Sequence, residues 1–184
     1  MAEPTVIGQW ETFYVIVGSS GGALTGLLFV VVALVADRAQ RATTEGLTTY
    51  ATPSIFHFCT VLFLSALIAM PRTGLGSLAV LLGLSALVGG VVTLLTVRRI
   101  ARFEPYRPVA EDWIWHAVIP SLAYLGVLVA AFMLTGVPVA ALYIVAAANL
   151  ALLFTGVHNA WDAAVFNAVQ VPRDLAVPET PPSP

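Results

Sequence analysis

The chain has 184 residues, 59% of them hydrophobic and 10% charged, with a mean hydropathy of +0.90, a balance that excludes a water-soluble domain of any size. A net charge of -2 and a pI of 5.8 exclude nucleic acid as a partner, because phosphate binding requires clustered basic charge. The lone cysteine, Cys59, excludes an intramolecular disulfide and a Cys-based zinc site.

Five apolar runs follow along the chain, at about 12–36, 53–70, 75–97, 113–135 and 138–168, against the roughly 20 helical residues that cross hydrocarbon. Helix is the expected form throughout, because an isolated strand leaves backbone groups unpaired in lipid. The first run follows a segment without basic residues and without a small-residue cleavage site, so it is expected as a retained span rather than a signal peptide. Within it Gly18, Gly22 and Gly26 recur at four-residue spacing, a doubled GxxxG with Ser19, Ser20, Ala23 and Thr25 beside it. Such a face lets another helix approach closely. It serves packing inside one subunit or an oligomer axis, where Ser19, Ser20 and Thr25 would line a narrow pore.

Thr52 followed by Pro53 predicts the start of the second helix, which carries His57 and Ser65 and ends before a Pro71-Arg72-Thr73-Gly74 turn. The third has Ser85 with Gly89, and Ala86 with Gly90, at the same small-residue spacing. The fourth opens with Trp113, Trp115 and His116, and its Pro120 frees the His116 carbonyl and predicts a bend there. The fifth follows the Gly136-Val137 turn. It places Asn149 near the bilayer centre, where the amide is expected to bond Ser65 or Ser85 across helices, with Ala147, Ala151 and Thr155 as a further small face. Its last turns, with His158, Asn159, Trp161, Asp162 and Asn167, are the most polar helical stretch. Residues 173–184, rich in proline, are expected to be a disordered cytoplasmic tail.

Alternating the crossings puts Arg38, Arg41, Arg98, Arg99, Arg102, Arg107 and Arg173 on one face and Arg72 alone on the other. The positive-inside rule then places the N-terminus outside and the C-terminus in the cytoplasm of a bacterial-type inner membrane. Trp10, Trp113, Trp115 and Trp161 fall where an interfacial aromatic belt belongs. The expected fold is all-α: a polytopic integral membrane protein with five transmembrane helices, one helix plus two antiparallel hairpins, in a single domain over residues 1–172.

His57, His116 and His158 fall at one membrane depth, and Asp162 follows His158 by one helical turn. With Glu111 and Asp112 nearby, this set is a candidate site for a transition metal, or a pair of the histidines for haem. The bland alternative is a local His–Asp contact at a wet helix end, and no cofactor is the primary expectation. No Asp, Glu, Lys or Arg lies in the central half of any run, which argues against an intramembrane carboxylate relay. No nucleophile elbow or phosphate loop is present either, so the expected role is non-enzymatic. The leading expectation is a small homo-oligomeric channel or facilitator with a path lined by Ser19, Ser20, Thr25 and Asn149. The alternatives are the metal- or haem-binding component and an accessory subunit of another membrane protein.

Overall fold

The computed structural model describes residues 6–38, 44–71, 74–102 and 110–174, and these are helical with no strand. After a 3-10 turn at Gly8–Trp10 come α1 (Glu11–Arg38), α2 (Thr44–Ala69), α3 (Leu75–Arg102), α4 (Ala110–Met133) and α5 (Pro138–Asp174). The expected tail beyond Asp174 lies outside the described residues, as do Arg41, Arg72 and Arg107.

One expectation about α2 is corrected. The helix begins at Thr44, so Pro53 stands inside it rather than at its start. Proline removes the hydrogen bond to the Thr49 carbonyl and crowds that carbonyl with its ring, a cost that packing against neighbouring helices can make good in a bundle. Among the described residues four helices are long and apolar enough to cross a membrane, Gly8–Ala33, Leu75–Ala101, Ala110–Met133 and Pro138–Asp162, and the remaining expected span falls on the shorter apolar run Pro53–Ala69. The apolar part of α2 is confined to Pro53–Ala69, because its first turns, from Thr44 to Thr52, are mostly polar or small. The packing accounts for the short run. α2 lies against α1, α3 and α5, with Phe58, Val61, Leu64 and Ile68 buried, so much of its surface meets protein rather than surroundings.

Contacts between helices set their directions. Gly18 meets Ser65 and Thr25 approaches Cys59, so α1 and α2 are antiparallel. Ser65 with Asn149, and Phe58 with Gly156, make α2 and α5 antiparallel, and Gly83 with Ala131, and Gly89 with Tyr124, do the same for α3 and α4. Hence α1, α3 and α5 run one way and α2 and α4 the other. Their C-terminal ends gather Arg38, Arg98, Arg99, Arg102 and Arg173 at one end of the bundle. Trp10 packs on Tyr143 at the opposite end, whereas Trp113, Trp115 and Trp161 stand at the arginine end.

In α4 the segment Ile114–Val118 is a π turn, with the Ile119 amide bonded to the Ile114 carbonyl. Its cause is two residues away. Pro120 has no N–H to give and its ring crowds the carbonyl one turn back, so widening the turn by one residue relieves both. The expected distortion beside His116 therefore takes the form of an inserted residue.

The half of the bundle away from the arginines is filled by Leu64, Ile68, Leu78, Leu82, Leu134, Leu142 and Val145, all at most 1% exposed. Tyr14 closes it by donating to the Leu142 carbonyl at 3.0 Å. Outward faces carry Ile16, Leu27, Phe29, Leu87, Val91, Leu122, Phe132 and Phe154, an apolar exterior compatible with a multi-pass membrane protein. Between α2 and α3 a groove of about 670 Å³ opens sideways, with Cys59, Thr60, Phe63 and Ser85 in its walls.

Candidate functional site

Several of the side chains that break this apolar pattern are carried by α2 and α5, which pack against each other. At the inner end of this seam Asn149, fully buried, donates from Nδ2 to Ser65 Oγ at 3.2 Å, which selects Ser65 over Ser85 among the expected partners. The Asn149 carbonyl oxygen Oδ1 has no partner. Seven residues back on α2 and seven forward on α5, the Phe58 ring sits on Gly156, where a Cβ would fall 2.5 Å from the ring. Beside it Thr155 is fully buried with its hydroxyl unpartnered.

Carried further, the same antiparallel register sets Ser54 level with Asn159. Both are buried, at 0% and 2% exposed, and neither the Ser54 hydroxyl nor either polar atom of the Asn159 amide has a partner. From Asn159 to Asn149 the seam runs about 15 Å at 1.5 Å per residue. Along it, polar layers at Ser54/Asn159 and Ser65/Asn149 are separated by Phe58 on Gly156. An unsatisfied polar group in hydrocarbon costs several kcal/mol, so this concentration demands a reason. No Asp, Glu, Lys or Arg is buried among the described residues.

The histidines surround the outer end of the seam without converging. His57, 4% exposed, turns toward α4, where its Nδ1 lies 3.3 Å from the Tyr124 hydroxyl. Tyr124 donates to Thr60 Oγ1 at 3.4 Å and Thr60 to the Phe56 carbonyl at 2.8 Å. With its own proton directed at Thr60, the Tyr124 oxygen accepts, which assigns the His57 proton to Nδ1. Gly89 makes this arrangement possible, since a Cβ there would fall inside the Tyr124 ring.

His116, in the π turn, places Nδ1 3.1 Å from the Asp112 carbonyl. His158 stacks on Trp115 with ring centroids 3.9 Å apart, and its Nε2 faces Asp162 Oδ2 at 3.0 Å and Glu111 Oε1 at 3.9 Å. Those carboxylates are largely exposed. Among the described residues no group of three His, Cys, Asp or Glu side chains could hold a metal ion. The proposed ligands His57, His116, His158 and Asp162 are thus dispersed over separate partners, and only His158 with Asp162 forms a pair.

The glycine face of α1 also divides. Gly18 is buried against Ser65, with a Cβ position 2.7 Å from the serine Cβ, whereas Gly22 lies at ordinary contact from Leu62 and Gly26 meets nothing within 4 Å. Gly21, outside the four-residue pattern, is pressed on the Phe58 carbonyl, with a Cβ position 2.9 Å away. Ser20 and Thr25 donate back to the carbonyls of Ile16 and Gly21 in their own helix, and Ser19 points outward. These three hydroxyls do not share a path with Asn149 within the chain. Gly18 and Asn149 do meet, through Ser65.

Sequence reasoning passed over Ser54, Thr60 and Tyr124. Their signal was available as spacing, since Ser54, His57 and Thr60 recur every third residue on one side of a helix otherwise apolar from Pro53 onward. No family model, curated protein or solved structure matches the chain.

Proposed function

We propose that the chain is a non-enzymatic, multi-pass protein of a bacterial-type inner membrane, with the N-terminus outside and the arginine-bearing end in the cytoplasm, and that it acts as a small facilitator for polar solutes. In this reading α2 completes a fifth crossing inside the bundle, and the path follows the α2–α5 seam rather than the hydroxyls of α1. The observation that carries it is the set of buried, unpartnered polar atoms that α2 and α5 bring into the bundle, on Ser54, Asn159, Thr155 and Asn149. Groups held in this way are suited to hydrogen-bond with something that enters. Phe58 on Gly156 is the barrier of the closed state, and the leucine-rich half of the bundle seals the far end. Copies of the chain associate through the outward small residues Ser19, Ala23 and Gly26 of α1, where close helix approach is open.

Cysteine accessibility tests this reading. In a Cys59→Ser background, single cysteines at Thr155 and Asn149 are expected to react with a small water-soluble thiosulfonate applied to the arginine-bearing side of sealed vesicles. Cysteines at buried Leu82 and Leu142 should stay silent. Protection of the Thr155 and Asn149 positions equal to that of the two leucine positions would refute the path.

A further inference from the structure

We infer that the solute accepted by this seam is small, uncharged and hydrogen-bonding, of the class of urea or glycerol, and that ions are excluded; the inference rests on the facilitator reading above. It follows from the kinds of atom the seam leaves unpartnered. Ser54 and Thr155 each offer a hydroxyl that both donates and accepts, Asn159 offers two N–H donors and a carbonyl, and Asn149 offers its spare Oδ1. Donors and acceptors are mixed at Ser54, Asn159 and Thr155, and Asn149 adds an acceptor at the inner end. A neutral amide or polyol presents the same mixture and can satisfy both kinds in one visit.

An ion has different needs. Moving a bare charge out of water costs tens of kcal/mol unless paired charges or a continuous ring of dipoles replaces its hydration shell. Among the described residues the seam contains no buried carboxylate, ammonium or guanidinium group. Its polar layers are separated by about 15 Å of helix, and the apolar Phe58 ring interrupts them, so no continuous coordination exists. The nearest carboxylates, on Glu111 and Asp162, have side chains 69% and 54% exposed at the mouth, at the end where Arg98 and Arg99 are also exposed. Charge of both signs at the entrance selects neither cations nor anions. A proton relay is also broken, because His57 is turned away from the seam into its bond with Tyr124, which passes on to Thr60 and the Phe56 carbonyl.

The test is solute entry into liposomes carrying the full chain, followed by stopped-flow light scattering for urea and glycerol and by indicator dyes for sodium, potassium and protons. Urea or glycerol entry is expected to exceed that of empty liposomes by at least about tenfold, with ion and proton entry at background. Asn159→Leu, which keeps the branched shape and removes the amide, should return solute entry to near background. Phe58→Ala, which removes the barrier, should raise it severalfold, and circular dichroism checks that both variants are folded. Ion or proton entry matching that of urea would overturn the inference, as would urea and glycerol entry indifferent to both variants. If the thiol reagent reaches Thr155 and Asn149 positions but urea and glycerol stay out, the path stands and the solute class is wrong. If the reagent is excluded and nothing enters, the facilitator reading itself fails.

Discussion

Alanine substitution along the glycine face of α1 separates packing within the chain from packing between chains. At Gly18 the added Cβ would sit 2.7 Å from Ser65 Cβ and 3.3 Å from its Oγ. Carbon atoms rest at about 3.5–4.0 Å, so α1 must retreat by roughly 1 Å, or Ser65 must turn and release Asn149. Overpacking of this kind costs about 1–3 kcal/mol. At Gly21 the obstruction is backbone, the Phe58 carbonyl at 2.9 Å and the Leu62 amide at 3.3 Å, and Gly21→Ala belongs at the upper end of that range because backbone cannot rotate aside. Gly22→Ala makes ordinary contact with Leu62 at 3.8 Å, and Gly26→Ala touches nothing, so the latter gains up to about 1 kcal/mol of helix propensity. The expected order of stability is Gly26→Ala above wild type, Gly22→Ala near it, then Gly18→Ala and Gly21→Ala, with a spread of roughly 2–4 kcal/mol. Reversible unfolding in mixed micelles by increasing SDS, followed by circular dichroism, measures it at monomeric protein concentrations. Should Gly26→Ala prove as damaging as Gly18→Ala there, Gly26 is covered by something the chain itself does not supply, and the intrachain account of this face is wrong.

The Asn149–Ser65 hydrogen bond should appear in a double-mutant cycle of Asn149→Leu and Ser65→Ala as a coupling of about 0.5–1.7 kcal/mol, the range for buried polar pairs between membrane helices; additive effects would mean the bond contributes nothing. Gly89→Ala drives a methyl group into the Tyr124 ring and is expected to lower stability by about 1–3 kcal/mol, whereas Tyr124→Phe, which removes only a hydroxyl between His57 and Thr60, should cost about 1 kcal/mol. A larger loss in Tyr124→Phe than in Gly89→Ala, both read by the same SDS titration, would reverse the assignment of that contact as mainly steric. Cys59 is exposed in the wall of the α2–α3 groove, so a lipid-soluble maleimide should alkylate it in the folded protein, and a thiol that reacts only after denaturation would place the groove elsewhere. Gly156→Ala displaces Phe58 and should raise the reactivity of a cysteine at position 155; an unchanged labelling rate would remove Phe58 from its role as barrier.

How far the site was legible depends on what each residue reports. Asn149 was readable because an amide in the middle of a long apolar helix has few alternatives to an interhelical bond, and Ser65 was among the partners at the right depth. The histidines share one end of the bundle, yet position along a helix carries no information on rotation. His57 turns to Tyr124 and His158 to Asp162, and among the described residues no three metal-ligating side chains meet at one point. Gly18, Gly22 and Gly26 are equivalent in sequence, but at 3.6 residues per turn each four-residue step drifts roughly 40° round the axis, so Gly26 rotates out of a contact that Thr25 still makes with Cys59, and Gly21 enters it. Pro53 looked like a start because proline is favoured at the first helical position; inside a bundle it is tolerated in the interior as well.

Composition and periodicity settle the secondary structure here, because long apolar runs favour a helix in which the backbone bonds to itself, and they are compatible with a membrane as surroundings. They also order the runs in space up to direction, since turns as short as that at Gly136 force neighbours to be antiparallel. What they leave open is the rotation of each helix about its axis and which helix the others enclose. Those were decided by interlocking side chains, Ser65 against Gly18, Phe58 against Gly156 and Tyr124 against Gly89, each a steric fit between residues far apart in the chain. That fit packs α2 against α1, α3 and α5, and it buries Ser54, Thr155, Asn159 and Asn149 within the bundle.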